Sequence, residues 1–191
     1  MRILLLVLST SALLGCLVLE NAIPVGRAGR FATTPSAISG NQARASALQP
    51  DSLCAKNEHI IFSCSVKRTA KVVALCASPE LTKDRGYLQY RFGLPGKIEL
   101  EFPKDREGSQ QKFRYSHYFR YQVDRTEITF EINGYEYSIF DDYEGEEKPR
   151  TSSQGVTVTA PGKPKDLTLV CHGRAKVDYD TLDAILPNDS Q

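Results

Sequence analysis

The stretch Thr126-Glu127-Ile128-Thr129-Phe130-Glu131-Ile132-Asn133-Gly134-Tyr135-Glu136-Tyr137-Ser138-Ile139-Phe140 alternates apolar and polar residues on both sides of an Asn-Gly pair. This pattern predicts a β-hairpin, because a type I′ turn needs two successive residues that tolerate positive φ. In a two-residue loop, residues equidistant from the turn face each other across the two strands. The predicted pairs are Ile132–Tyr135, Phe130–Tyr137 and Ile128–Ile139. All six apolar side chains then share one face of the sheet, and the polar side chains share the other.

A second hairpin is predicted around Gly93-Leu94-Pro95-Gly96, because apolar residues also alternate on both sides of this segment. A two-residue loop would place Phe92 opposite Glu99 and mix the two faces, so we expect a loop with an odd number of residues. Either odd register pairs Arg91 with Glu99 or with Glu101 on the polar face.

Further strands are predicted elsewhere by shorter runs of the same kind. They are an opening hairpin of residues 59–66 and 71–77 over the turn Lys67-Arg68-Thr69, one long strand or two broken near Ser116 within residues 113–123, and closing strands at 156–159 and 167–171. Residues 180–186, before Pro187, predict a short C-terminal helical turn. The pattern as a whole predicts an all-β fold, an antiparallel sandwich or small barrel of about eight or nine strands.

The first 19 residues predict export. Met1-Arg2 precedes an apolar run that contains no acidic residue before Glu20, which is the layout of a signal segment. Leu13-Leu14-Gly15-Cys16 resembles the lipobox of bacterial lipoproteins, in which the cysteine is lipidated and becomes the new N-terminus. The alternatives are ordinary cleavage after a small residue, which gives a secreted or periplasmic form, and an uncleaved anchor.

Three regions follow from this reading. Residues 1–19 are a signal or lipoprotein leader, residues 20–52 a flexible tether, and residues 53–191 a single disulfide-stabilised β domain. The tether is rich in small and polar residues, so it has too little apolar surface to offset the entropy of ordering. Apart from a lipid on Cys16, nothing in the folded part predicts contact with a membrane.

Four cysteines remain once Cys16 is lipidated or removed: Cys54, Cys64, Cys76 and Cys171. An even number in an exported chain predicts two disulfides, with three pairings open. The gaps of nine, eleven and ninety-four residues do not fit structural zinc, which needs short spacers within each pair of ligands. We therefore expect an oxidising compartment and neither a metal nor a cofactor.

The charge balance argues against a nucleic-acid partner, since 24 Lys and Arg residues face 23 Asp and Glu residues. The strongest candidate binding surface is one side of the strand at 113–121, with Arg114, Tyr118 and Arg120. Such a group could stack on a sugar, a base or a peptide. The favoured interpretation is plainer: the other side, Phe113, Tyr115, His117, Phe119 and Tyr121, is core, and the arginines form an ordinary solvated face.

Catalysis finds little support in the sequence. The three histidines, His59, His117 and His172, occur in no recognisable catalytic motif, and neither a nucleophile elbow nor a phosphate-binding glycine loop is present. The acidic segment 141–147 lacks the ligand order of an EF-hand, so we interpret it as a solvated hairpin loop. An enzyme is the less favoured class, although a site assembled only in three dimensions stays open.

Four segments form a distinctive series: Phe62-Ser63-Cys64, Leu75-Cys76-Ala77-Ser78, Tyr87-Leu88-Gln89-Tyr90-Arg91-Phe92-Gly93 and Glu99-Leu100-Glu101-Phe102-Pro103. The series resembles that of a set of uncharacterised exported bacterial proteins. This resemblance covers about the first half of the folded part and implies export without implying a chemistry. The exported β-barrel lysozyme inhibitors of bacteria offer an analogy of general plan, but their Ser-Gly loop motif and tryptophan-bearing signature are absent from the predicted β domain.

Three functions are therefore under consideration. The first is a non-catalytic interaction domain of the bacterial cell envelope, periplasmic or lipid-anchored, that binds a protein or glycan through a sheet face. The second is an inhibitor of an exogenous hydrolase such as lysozyme, and the third is a hydrolase whose site is not visible in the sequence.

Overall fold

Two antiparallel sheets of five strands form the part of the chain that the computed structural model describes, residues 51–162 and 166–190. The first sheet contains β1 (His59–Ser65), β2 (Val72–Ala77), β3 (Leu88–Leu94), β4 (Lys97–Phe102) and β10 (Lys176–Val177), in the order β10-β1-β2-β3-β4. The second contains β5 (Arg114–Arg120), β6 (Val123–Ile132), β7 (Tyr135–Glu144), β8 (Thr151–Thr159) and β9 (Leu167–Val170), in chain order. A short 3₁₀ segment, Ser109–Lys112, lies between β4 and β5, and the helix α1 (Tyr179–Asp183) follows β10.

The predicted all-β fold is confirmed as a sandwich-like arrangement and not a closed barrel. The described residues form ten strands, whereas eight or nine were predicted. The additional strand, β10, has only two residues and so leaves no alternating pattern to detect. Of the two alternatives for residues 113–123, the one with a break near Ser116 is wrong. β5 passes through Ser116 without interruption, and the chain turns at Tyr121 and Gln122, where Gln122 has a φ of 58°.

The hairpin at Asn133-Gly134 is confirmed. Asn133 and Gly134 have φ values of 52° and 81°, as a type I′ turn requires. The three predicted pairs, Ile132–Tyr135, Phe130–Tyr137 and Ile128–Ile139, all face each other in the structure. Turn chemistry and hydrophobic alternation therefore specify the same register.

The predicted odd loop in the second hairpin is wrong. Leu94 pairs with Lys97 across a two-residue turn, and a β-bulge then pairs Gly93 with Ile98 and Phe92 with Leu100. The extra residue of the bulge restores the alternation that an even loop would have spoiled. Gly93 has a φ of 152°, and a Cβ there would lie 2.5 Å from the carbonyl oxygen of Lys97, so this position needs glycine.

The core lies between the sheets and is rich in aromatic rings. The Phe130 ring lies 4.8 Å from that of Tyr90 and 5.4 Å from that of Phe102, measured between centroids. Leu182 on α1, with Ile185 just after it, buries its side chain in the same cluster. The C-terminal helix therefore packs on the sandwich through its apolar side.

The outer face of the first sheet is also covered. We call residues 51–58, which precede β1, the N-terminal strap. Leu53 and Cys54 of the strap pack against Val72, Ala74 and Cys76 of β2 in a second, smaller apolar cluster. Ser52 is buried as well, and its hydroxyl accepts a hydrogen bond from the backbone N–H of Cys54.

Arg91 was expected to pair with Glu99 or Glu101 on a polar face. It does pair with Glu101, but its side chain is only 4% exposed beneath the strap. There its guanidinium donates two hydrogen bonds to the carboxylate of Glu58, at 2.6 and 2.9 Å. Sequence alternation placed this residue correctly away from the core, but it did not reveal that a second layer covers that face.

Burial opposes the ionisation of Glu58. Hydrogen bonds from Arg91, the Tyr87 hydroxyl and the backbone N–H of Ala55 outweigh that effect and hold the pKa of Glu58 below its usual range. Burial and the hydrogen bond that its hydroxyl donates to Glu58 raise the pKa of Tyr87 to about 12. The strap is therefore fastened by a buried charge pair whose hydrogen bonds favour the ionised carboxylate.

Two disulfides are present, as predicted. Cys54 pairs with Cys76 and joins the strap to β2, whereas Cys64 pairs with Cys171 and joins β1 to the residue after β9. The second bond spans 107 residues and links the two sheets. Two disulfides indicate an exported protein made in an oxidising environment.

The leader at 1–19, the proposed lipidation site Cys16 and residues 20–50 of the predicted tether lie outside the described residues. Within the described ranges, no helix is both long and apolar enough to cross a membrane.

Candidate functional site

The three residues proposed from the sequence, Arg114, Tyr118 and Arg120, share the outer face of β5, but the structure does not gather them into one site. The guanidinium of Arg114 lies 2.9 Å from a carboxylate oxygen of Asp189, near the C-terminal end of the described chain. Arg120, at the opposite end of the strand, pairs with Glu146. Only Tyr118 and Arg120 border a common depression.

That depression is a shallow groove of about 560 Å³ on the outer face of the second sheet. Tyr118 and Arg120 of β5 line it together with Arg125 of β6 and Asp142 of β7. Partial burial raises the pKa of Asp142, and the nearby Arg125 acts in the opposite direction. Its two arginines are balanced by two acids, Glu127 and Asp142, so the groove offers no strong field to a ligand.

The opposite side of β5 was expected to be core, and for its second half this is wrong. Phe113 and Tyr115 are buried, but Phe119 and Tyr121 are 72% and 80% exposed. The reason is strand length. β6 and β7 have ten residues each, whereas the strands of the first sheet have seven at most, so one end of the second sheet continues past the core. We call Phe119, Arg120, Tyr121 and Gln122 the hairpin tip.

Behind the hairpin tip, the inner face of the second sheet becomes polar and borders a cleft of about 840 Å³, here called the inner cleft. One wall consists of β5–β8, and the other consists of the chain from Val170 to Asp183, which includes α1. Strand pairing places His117, Thr126, Asp141 and Gln154 in one row across the sheet. Alternation brings these polar residues to the inner face, beyond the edge of the apolar core.

Several side chains of the inner cleft hold one another in place. His117 Nε2 lies 3.0 Å from Asp124 Oδ1. Asp141 Oδ2 accepts hydrogen bonds from the Gln154 amide at 2.7 Å and from the Tyr179 hydroxyl at 3.1 Å. Burial and the neighbouring Asp141 raise the pKa of Tyr179. The cleft is thus a formed structure with fixed polar groups.

The inner cleft carries an excess of negative charge. Four aspartates line it, Asp124, Asp141, Asp180 and Asp183, against one arginine, Arg174. Of these aspartates, only Asp124 takes part in an ion pair among the residues that the structure describes, and its partner is His117. The cleft therefore attracts cations.

The acidic segment 141–147 was expected to be a solvated loop, but β7 extends to Glu144. Strand alternation consequently turns Asp141 into the inner cleft and Asp142 into the outer groove. In the described ranges, the one cluster of three potential metal ligands is Cys54, Glu58 and Cys76, and both of its cysteines form a disulfide.

The structure also bears on the three histidines. His117 is the one that meets acids in a cleft, whereas His59 and His172 are exposed outside it. Among the hydrogen bonds of the described residues, none joins a serine hydroxyl to the His117 ring. Thr126, Ser152 and Ser153 line the same cleft, but none of the described hydrogen bonds joins their hydroxyls to the His117 ring.

Comparisons of the chain with protein-family models, curated proteins and solved structures find no match.

Proposed function

We propose that this chain is an exported, non-catalytic recognition domain of the bacterial cell envelope, periplasmic or held at the membrane by a lipid on Cys16, and that it binds a partner protein through the hairpin tip. The observation that carries the proposal is the exposure of Phe119 and Tyr121, at 72% and 80%. Aromatic side chains and arginine are enriched at the energetic centres of protein interfaces. The tip presents two such rings with Arg120 between them.

The tip is also braced. The backbone N–H of Gly145 donates to the carbonyl of Gln122 at 2.7 Å, and Arg120 pairs with Glu146. A turn held in this way loses little conformational entropy when a partner binds, which favours affinity. The tip therefore combines large apolar contacts with a preset shape.

The test is capture of partners from an envelope extract on the full exported protein. The variant is Phe119→Ser with Tyr121→Ser, and the control is Tyr135→Ser. Tyr135 is 44% exposed next to the turn at the other end of the same sheet. We expect the tip variant to lose specific capture and the control to retain it. Equal capture by both variants would refute the proposal, and capture that survives protease treatment of the extract would indicate a glycan instead.

A second candidate function, inhibition of an exogenous hydrolase such as lysozyme, is supported by the form of the tip. Arg120 pairs with Val123, so the hairpin closes in a two-residue turn narrow enough to enter an active-site cleft. A lysozyme assay with and without the protein tests this candidate. Inhibition that the tip variant lacks would favour it, and full lysozyme activity in the presence of excess protein would remove it.

A further inference from the structure

We infer that the partner protein adds an extended polypeptide segment to the free edge of β5, and that in doing so it displaces residues 188–190 of this chain, here called the edge segment. This inference rests on the proposed function, because it names how the partner held at the hairpin tip continues along the sheet. β5 is an outermost strand of the second sheet and has β6 as its neighbour on one side. Such a strand presents N–H and C=O groups on its other side to any extended chain that reaches them.

The edge segment shows which kind of ligand this edge accepts. It forms a parallel bridge with β5, between Asn188 and Tyr115. The backbone N–H of Asp189 donates to the carbonyl of Tyr115 at 2.9 Å. The side-chain amide of Asn188 accepts from the backbone N–H of His117 at 2.9 Å and donates to the His117 carbonyl at 3.0 Å. Amide groups of a polypeptide therefore already lie where a neighbouring strand would pair.

The same edge continues beyond the edge segment to the hairpin tip. Tyr115 and His117 direct backbone groups away from β6, and alternation directs those of Phe119 the same way. Among the described residues, the edge segment makes no hydrogen bond with the backbone of Phe119. Because Phe119 also belongs to the hairpin tip, a partner seated on the tip reaches this edge without a gap.

The edge segment is held by exposed contacts. The side chains of Arg114 and Asp189 are 76% and 37% exposed, and an exposed ion pair contributes little to stability. The hydroxyls of Ser116 and Ser190 form a further exposed contact. A short segment attached in this way opens locally at low cost. Its displacement frees Arg114, so we expect the incoming segment to carry an acidic side chain at that position.

The first experiment measures whether the edge segment can be released in the full exported protein. The open variant is Asn188→Ala with Asp189→Ala, which removes the side-chain amide from His117 and the ion pair from Arg114. The control is Thr157→Ala with Thr168→Ala, which removes an exposed hydroxyl contact between β8 and β9 at the opposite edge. Hydrogen exchange of the His117 amide, followed by NMR, should be at least about tenfold faster in the open variant and within about twofold of the wild type in the control. Unchanged exchange in the open variant would overturn the inference, because the edge would not open.

The second experiment supplies a polypeptide from outside. The probe is acetyl-Leu-Pro-Asn-Asp-Ser-amide, which reproduces residues 186–190. The control peptide is N-methylated at its Asp, so it lacks the N–H that bonds to the carbonyl of Tyr115. At millimolar concentration, which is on the order of the effective concentration of a tethered segment, the probe should shift the His117 and Phe119 amide signals of the open variant, and the control peptide should not. Equal shifts from both peptides, or none from the probe, would overturn strand addition.

The capture assay separates this inference from the proposed function. The open variant should capture at least about threefold more of the partner than the wild type, because the edge segment no longer competes for β5. If the tip variant loses the partner but the open variant captures no more than the wild type, the recognition function stands and strand addition fails. If the tip variant retains the partner, the recognition function itself fails, and the peptide experiment still decides whether the edge accepts a strand.

Discussion

The outer face of the first sheet and the free end of the second sheet both combine apolar and polar residues, but one is covered and the other is exposed. The N-terminal strap closes the first, with a disulfide and a charge pair whose side chains are 4% and 1% exposed. The second stays open, with its aromatic rings in water and its aspartates around a cleft. If the proposed function is correct, stability and recognition lie in different regions, and a substitution in one should leave the other unchanged.

The attachment of the N-terminal strap depends on the complete pairing of the buried Arg91 side chain. The guanidinium of Arg91 donates to Glu58, Gln89, Glu101 and the carbonyl of Leu53. A buried ion pair contributes little net stability compared with a well-packed apolar pair, but removing one partner leaves an uncompensated charge. The strap is therefore sensitive to a substitution that removes one partner of the pair.

The largest expected effect comes from separating the two sheets. Replacing Cys64 and Cys171 with Ala should destabilise the protein by about 4.8 kcal/mol by the chain-entropy relation, because this bond closes the loop of 107 residues. Replacing Cys54 and Cys76 should cost about 3.4 kcal/mol, since that loop spans 22 residues. Urea unfolding of the three proteins measures both values. A reversed order would mean that strap attachment matters more than sheet attachment, and equal losses would mean that loop length does not set the effect.

The next effect concerns the buried charge pair. Glu58→Gln should lower the free energy of unfolding by about 3 kcal/mol, since Arg91 keeps its buried charge and loses its best-placed partner. Glu101→Gln is the matched control. The side chain of Glu101 is 36% exposed, so its loss should cost less than about 1 kcal/mol. Similar losses for the two variants would show that burial does not set the strength of this network.

The same pair predicts a pH dependence with a definite sign. The folded pKa of Glu58 is lowered, so its contribution is complete above the unfolded pKa of about 4.3 and is lost as the pH falls through the folded value. The stability difference between the wild type and Glu58→Gln should therefore narrow from about pH 6 towards about pH 2. Urea midpoints of both proteins across this range provide the measurement. A constant difference would contradict the lowered pKa.

Much of the fold could be predicted, because local rules specify it. The Asn133-Gly134 turn and the alternation around it define the central hairpin of the second sheet, and the even number of cysteines predicts two disulfides. The bulge at Gly93 was not predicted, because a loop with an odd number of residues and a two-residue turn followed by a bulge give the same alternation in the sequence. The disulfide pairing depends on distances between strands that no local pattern contains.

The candidate site was predicted less well, for a related reason. Alternation correctly divided β5 into two faces, but burial of its inner face depends on how far the opposite sheet extends. Phe119 and Tyr121 therefore looked like core residues. The inner cleft joins Asp124 and Asp141 to Asp180 and Asp183, which come from distant parts of the chain. The one signal for the exposed end was the length of β6 and β7, which exceeds that of the first-sheet strands. The strand predicted at 135–140 was too short to show this difference.

The smallest expected effect concerns the hairpin tip, at the free end of the second sheet. Phe119→Ser with Tyr121→Ser should change the free energy of unfolding by no more than about 0.5 kcal/mol, because rings that are 72% and 80% exposed contribute little to the core. Phe130→Ala should cost about 3–5 kcal/mol, since Phe130 is 4% exposed and stacks on Phe102 and Tyr137. Thermal and urea unfolding of both proteins give these values. If the tip variant proved as unstable as Phe130→Ala, the two exposed rings would be structural, and their loss could no longer be used to test recognition separately from folding.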